Sequence, residues 1–238
     1  MDKKMKHKAV INLIKRNEMK EMLDSTLAVI TKNTQNTIIA SIVVLVVLIA
    51  IPFYLNHKNT MEIKAEQLVS RANMMLTRPV LNIEQAGMYG YFRTTEEKTD
   101  MVIKTYAQVL KEYKGTNQVA YATLGMANAY YNLGKYKEAQ EYFMDFAKKY
   151  PTHKMIDDAR SGLGYVLYQI GQFKEAAVEF EKVGKTSFVY YDAKLKLAEC
   201  YAKTGDKVKA KAAYEEIVKD SADTKWASVA REALKKTN

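Results

Sequence analysis

One cysteine, Cys200, and three scattered histidines, His7, His57 and His153, are all that 238 residues offer toward disulfide or soft-metal chemistry. A lone thiol cannot close an internal disulfide, and no Cys/His cluster stands at ligand spacing, so a disulfide scaffold and a zinc site are excluded. Proline (3) and glycine (10) are scarce, which excludes collagen-like and low-complexity chains. There is no Gly-rich phosphate loop, no G-x-S-x-G and no H-E-x-x-H. The sequence therefore calls for no metal, no cofactor and no catalytic centre. Basic residues outnumber acidic ones, 37 to 27, for a net charge of +10. Lysines interleave with glutamates through the C-terminal part, which reads as a solvated surface, not a nucleic-acid stripe.

What is present begins with an apolar run, Ile38 to Leu55, free of charge and interrupted only by Ser41 and Pro52. Eighteen helical residues span roughly 27 Å, the thickness of a bilayer's hydrocarbon core. A buried core helix would keep a polar stripe. A cleaved signal peptide would have a shorter leader and small residues at its end, whereas Pro52-Phe53-Tyr54-Leu55 is bulky. The expectation is a retained anchor. Eight basic residues precede the span (Lys3, Lys4, Lys6, Lys8, Lys15, Arg16, Lys20, Lys32), against Lys58, Lys64 and Arg71 just after it. That bias predicts a cytoplasmic N-terminus and an exported C-terminal part, periplasmic in a Gram-negative bacterium. Before the span, Met19, Met22, Leu23, Leu27 and Ile30 recur at helical spacing. Such a segment lies on the inner leaflet, docks on a protein, or serves only as a positional anchor.

The exported part is periodic. Gly134, Gly171 and Gly205 stand 37 and 34 residues apart, in the range of helical-hairpin repeats. Five residues after them come Ala139, Ala176 and Ala210; nine after come Phe143, Phe180 and Tyr214. Eight before come Met126, Leu163 and Leu197; four before come Tyr130, Leu167 and Tyr201. Glycine closes a first helix where positive φ costs little, small residues let two helices approach, and rings fill the space between hairpins. These turns, LGKYKEA, IGQFKEA and TGDKVKA, resemble the tetratricopeptide repeat (TPR) family. Pro151 ends a hairpin as that pattern expects. Phe146 departs from it, standing where a small residue is usual, and implies looser or adjusted packing.

The expected fold is thus an all-α TPR solenoid of about four repeats plus a capping helix, on a single transmembrane helix. Residues 1–36 form the cytoplasmic basic and amphipathic segment, 37–56 the span, and 57–116 a degenerate first repeat with an inserted loop. Residues 117–219 form three hairpins and 220–238 the cap. Within the first repeat, Glu62–Met75 pairs with Asp100–Thr116, whose packing face is Val102, Tyr106 and Val109; the loop carries Pro79, Gly87 and Gly90. In the cap, Trp226, Val229, Ala230 and Leu234 share one face. In layout the chain is similar to the YfgM-like family of ancillary Sec translocon subunits, most closely over Phe188–Asp220. That resemblance implies a non-enzymatic adaptor or chaperone in the inner membrane. Its partners would be translocon subunits, periplasmic chaperones or exported clients. An envelope scaffold for cell-division or outer-membrane assembly machinery is the alternative.

First helices of TPR arrays line the concave face. The offsets that point there hold Tyr121, Leu124, Asn128, Tyr131 and Asn132, then Tyr165, Tyr168 and Gln169, then Leu195, Glu199 and Lys203. Tyrosine supplies apolar area with a hydrogen-bonding tip, and the amides can pair with peptide backbone. Tyr131, Tyr165 and Tyr168 are the expected anchors. The basic clamp by which some TPR domains hold a terminal carboxylate is not evident: Gly125 and Tyr121, then Gly162 and Asp158, occupy its places. Cys200 reads as structural filler.

Overall fold

The computed structural model describes residues 18–28, 34–81 and 92–237, and among these every regular element is a helix. They divide into two compact units, Met1–Asn59 and Thr60–Asn238. In the first, residues 18–28 form α1, whose Met19, Met22, Leu23 and Leu27 are all exposed. Ile30 and the basic residues before position 18 lie outside the described residues. Helix α2 (Thr34–Thr77) carries the apolar run, none of it buried, in a helix long and apolar enough to cross a membrane. Helix α2 runs on through the expected boundary at 56/57. Residues 53–77 contain neither Gly nor Pro, so nothing stops the helix there.

In the second unit, the end of α2 pairs with α3 (Thr95–Glu112) as the first repeat. Ala65, Val69 and Ala72 bury against Val102, Tyr106 and Val109. The Tyr106 hydroxyl donates to Asn73 Oδ1 at 2.7 Å. Helix α3 starts five residues before the expected Asp100 because Thr94 caps it and Glu97 reaches back to the residue before the cap. Thr94 Oγ1 accepts from the Glu97 amide at 3.0 Å, and the Glu97 carboxylate accepts from the Arg93 amide at 2.8 Å. Gly87 and Gly90 of the expected loop lie outside the described residues. Its ends are tied by a bridge between Val80 and Phe92.

Three hairpins follow: α4 (Gln118–Asn132) with α5 (Tyr136–Lys149), α6 (Ile156–Gln169) with α7 (Phe173–Glu181), and α8 (Tyr190–Lys203) with α9 (Lys207–Asp220). Each first helix ends alike. Gly134, Gly171 and Gly205 take φ of +70°, +80° and +84°. The next amide then bonds the carbonyl five residues back: Lys135 to Tyr130, Gln172 to Leu167, Asp206 to Tyr201, at 2.9–3.0 Å. This Schellman geometry satisfies the carbonyls that a helix end leaves open. Ala139, Ala176 and Ala210 have no accessible surface, and Phe143, Phe180 and Tyr214 are buried beside them. Phe146 is not loosely packed. It is fully buried, with Tyr150 and His153 rings at 5.3 and 5.4 Å, so an aromatic cluster in the turn accommodates the larger side chain.

Helix α10 (Lys225–Thr237) caps the array. Its packing face holds Ala227, Ala230, Trp226 and Leu234, whereas Val229 is 51% exposed, contrary to expectation. Ala227 and Ala230 are three apart and share a face; Val229 falls a third of a turn away. First helices of successive hairpins touch, α4 with α6 and α6 with α8. Among the described residues, successive second helices do not. The first-helix side is therefore the inner side of the curve.

Candidate protein-binding face

The inner side carries the tyrosines, but they are held more firmly than free anchors would be. Tyr131, Tyr165 and Tyr168 each pack partly against the central core. The Tyr168 hydroxyl donates to Glu199 Oε2 at 2.9 Å, and the Tyr165 hydroxyl donates to the Asp192 carboxylate. The Tyr131 hydroxyl accepts from Gln169 Nε2 at 3.4 Å. Each bond runs from one first helix to the next, so the three form rungs along the face. The rings are set too, with Tyr165 edge-on to Phe180 at 5.4 Å and Tyr168 edge-on to Phe173 at 5.3 Å. Lys196 and Lys203 place their ammonium groups 5.1 and 5.7 Å from the Tyr168 ring centre. Burial, then the Glu199 bond, pushes the Tyr168 phenol up to about 12; burial, then Asp192, raises Tyr165 as well. Both stay protonated donors at any physiological pH.

Leu124 does not line the face. It is 3% exposed and belongs to the core with Ala120 and Phe143, and Leu195 is likewise buried. Their offset turns toward the neighbouring helix, where an apolar chain gains more from burial than from water. Asn128, Asn132, Gln169 and Lys203 are exposed, and Glu199 is half-buried. Asn128 and Asn132 stand one turn apart on α4, and among the described residues neither side chain has a hydrogen-bond partner. Tyr121, at the start of α4, meets the His153 ring edge-on at 5.2 Å, with the Lys154 ammonium 5.4 Å from its ring.

Asp192 and Lys196 belong to the face as well, and sequence reasoning missed both. Asp192 stands thirteen residues before Gly205, as Tyr121 stands before Gly134, so the repeat offset itself could have found it. The absent clamp also has a cause. A Cβ on Gly125 would overlap the Tyr106 ring, and one on Gly162 would overlap Phe143. A lysine at either place would displace a core aromatic. Cys200 is buried, and burial, with the Glu199 carboxylate next, pushes its thiol up to about 11, which keeps it protonated in the closed array. Among the described residues no group of three acidic, His or Cys side chains is placed to hold a metal ion.

The tetratricopeptide repeat-like domain family matches residues 30–236. No curated protein matches the sequence. Among solved structures, the chain is similar to MamA residues 41-end from Desulfovibrio magneticus RS-1, at 19% identity over 73% of this chain and 89% of that one, TM-score 0.51. It is also similar to a putative kinesin light chain from Podospora anserina with nearly identical TPR-like repeats, at 16% identity over 65% and 82%, TM-score 0.51. Another MamA structure is 26% identical over 52% of this chain and 65% of its own length, TM-score 0.45. The first two likenesses show a common helical-repeat fold.

Proposed function

Because this chain belongs to the tetratricopeptide repeat-like domain family, we propose that it is a non-enzymatic protein-binding adaptor. Its first-helix face takes an extended segment of a partner protein, and the apolar first part of α2 holds it at a membrane. Arrays of this kind are protein-interaction domains, and their curvature creates one long binding surface. The observation that carries the reading is the pair Asn128 and Asn132, exposed on that face with unused donors and acceptors. A primary amide offers one acceptor and two donors, the complement of an extended peptide backbone. Tyr131, Tyr165 and Tyr168 supply apolar area beside it, and Gln169 and Glu199 add polar edges. The partners are translocon subunits, periplasmic chaperones or exported clients. This finer reading is supported by the basic N-terminal segment, the single apolar run and the short repeat array, a layout similar to ancillary Sec subunits. The cytoplasmic N-terminus is supported by the charge bias across the apolar run.

Crosslinking and pull-down of the full-length protein tests it, comparing the native chain with Asn128→Ala/Asn132→Ala. Translocon subunits or exported chaperones should co-purify with the native chain and be lost from the variant at an unchanged melting temperature. Capture that survives the double substitution would reject this face. An eluate of cell-division or outer-membrane assembly factors would support an envelope scaffold instead. Protease added to sealed spheroplasts should digest the repeat array; protection would overturn the proposed topology.

A further inference from the structure

The second helices leave an opening that the repeat itself explains. In the first full hairpin, Tyr142 of α5 lies eight residues after Gly134 and stacks on Tyr130 at 5.5 Å, with ring planes 17° apart. That pair packs against the core that holds Val102, Tyr106 and Val109 of α3. In the third hairpin the partner ring is present, because Tyr201 takes the place of Tyr130. The position eight residues after Gly205 is Ala213. A cleft of about 360 Å³ lies there between α7 and α9, with Phe180, Leu197 and Ala213 as its apolar part, Tyr190 and Tyr201 beside them, and five lysine and glutamate side chains also lining it. Its apolar part lies where the first full hairpin carries the Tyr142 ring and the third hairpin carries none. Helix α7 deepens the gap by ending after nine residues, where α5 and α9 run for fourteen.

The missing ring stands next to the opening. Phe188, in the connection from α7 to α8, is fully exposed at 104% of its reference area, more than any other large apolar side chain described. It does not fill the cleft of its own chain. Turn bonds hold its backbone: the Ser187 amide to Gly184 O at 3.0 Å, and the Tyr190 amide to Ser187 O at 3.1 Å. Lys185 and Tyr190, three residues before and two after Phe188, both line the cleft, so knob and hole lie side by side on one surface. A two-fold axis between adjacent complementary features seats each knob in the other copy's hole and closes the contact at two chains.

We propose that this face pairs two copies of the chain, each Phe188 entering the cleft between α7 and α9 of its partner and stacking on Tyr201 as Tyr142 stacks on Tyr130. Lys209, whose ammonium lies 5.3 Å from the Tyr201 ring centre, swings aside as the ring enters. This surface is separate from the first-helix face. Dimerisation and partner capture are therefore independent, and either can fail alone.

The test places a photo-crosslinking phenylalanine analogue at position 188 of the full-length protein and illuminates it in the membrane. The expected product has twice the chain's mass, and peptide mapping joins position 188 to α8 or α9. Phe188→Ser should weaken self-association by about 30-fold or more, as for a buried aromatic hot spot. Ala213→Tyr should abolish the adduct by filling the hole from within, with the melting temperature checking that the array still folds. Lys209→Gln, an exposed substitution, should keep the fold and the adduct. Adducts only to other proteins, adducts mapping elsewhere on the chain, or a double-mass product that Phe188→Ser leaves at full strength would each overturn the proposal.

Discussion

The phenol of Tyr168 donates to the carboxylate of Glu199 across two first helices, and Lys196 grips the same carboxylate oxygen at 2.7 Å. A residue that sequence offset assigns to ligand contact is therefore also a tie between repeats. Removing only the hydroxyl and removing the whole ring must then have different consequences. Tyr168→Phe should cost about 1 kcal/mol, the lower range for a bond to a charged acceptor at a half-exposed site. Tyr168→Ala also loses ring packing on Phe173 and should cost about 2 kcal/mol or more. Urea denaturation of both, with Glu199→Gln as the second arm of a double-mutant cycle, measures the tie. Zero coupling energy would show that the rung does not stabilise the array.

Gly125 and Gly162 are packing positions, not flexible ones. Alanine is favoured over glycine by about 1 kcal/mol in a helix interior. Here the added methyl would overlap the ring of Tyr106 or Phe143, both almost fully buried. Overpacking costs about 1–3 kcal/mol, so the clash should outweigh the propensity gain. Gly125→Ala and Gly162→Ala are expected to lower the melting temperature, and a rise in either would contradict the packing account.

Ala139 and Ala176 have no accessible surface, and each lies in the core shared by successive hairpins. Leucine at either position should destabilise by about 1–3 kcal/mol. Thermal melts report this directly. A neutral result would mean that the hairpin can open at that level without loss.

Acid should weaken the array in two separate steps. His153 sits among Tyr121, Phe146 and Tyr150, next to Lys154, and its Nδ1 accepts from the Met155 amide at 3.2 Å. Burial, then the Lys154 charge, lowers its pKa. The folded state thus prefers neutral imidazole: stability is intact above the unfolded pKa near 6.5 and falls as pH drops through it. Glu216 is bonded by Lys194 at 2.7 Å and Lys185 at 3.0 Å, which hold its carboxyl near 2 against an ordinary 4.5. Its contribution is complete above 4.5 and is lost as pH falls toward 2. His153→Phe should flatten the first step and Glu216→Gln the second. Unfolding free energy measured from pH 7 to pH 3 separates them, and a profile unchanged by either substitution would refute its assignment.

Much of this was legible because the repeat reports on itself. Gly134, Gly171 and Gly205 marked the turns, and Ala139, Ala176 and Ala210 marked the close approaches. A positive φ and a methyl-sized gap each admit few residue types. The inner face was only partly legible. Offsets show which way a side chain leaves its helix, but not what the next helix places opposite. The bonds from Tyr165 to Asp192 and from Tyr168 to Glu199 are therefore not contained in the offsets. Leu124 was misplaced for a related reason, since its direction falls between the open face and the neighbouring hairpin. The early start of α3 is written in Thr94 and Glu97, a capping signal that precedes the apolar pattern.

Cys200 turns the array's own motion into a measurable signal. The thiol is the chain's only one, buried on α8 in the central core, so reagent can reach it only when that helix parts from its neighbours. Under native conditions its alkylation rate is the reactivity of the exposed thiol multiplied by the fraction of time α8 stands open. The protein thus carries an internal clock for local opening, with no label to add. A ligand that clamps the first-helix face should slow that clock, and one that binds only at the far end of the array should leave it running.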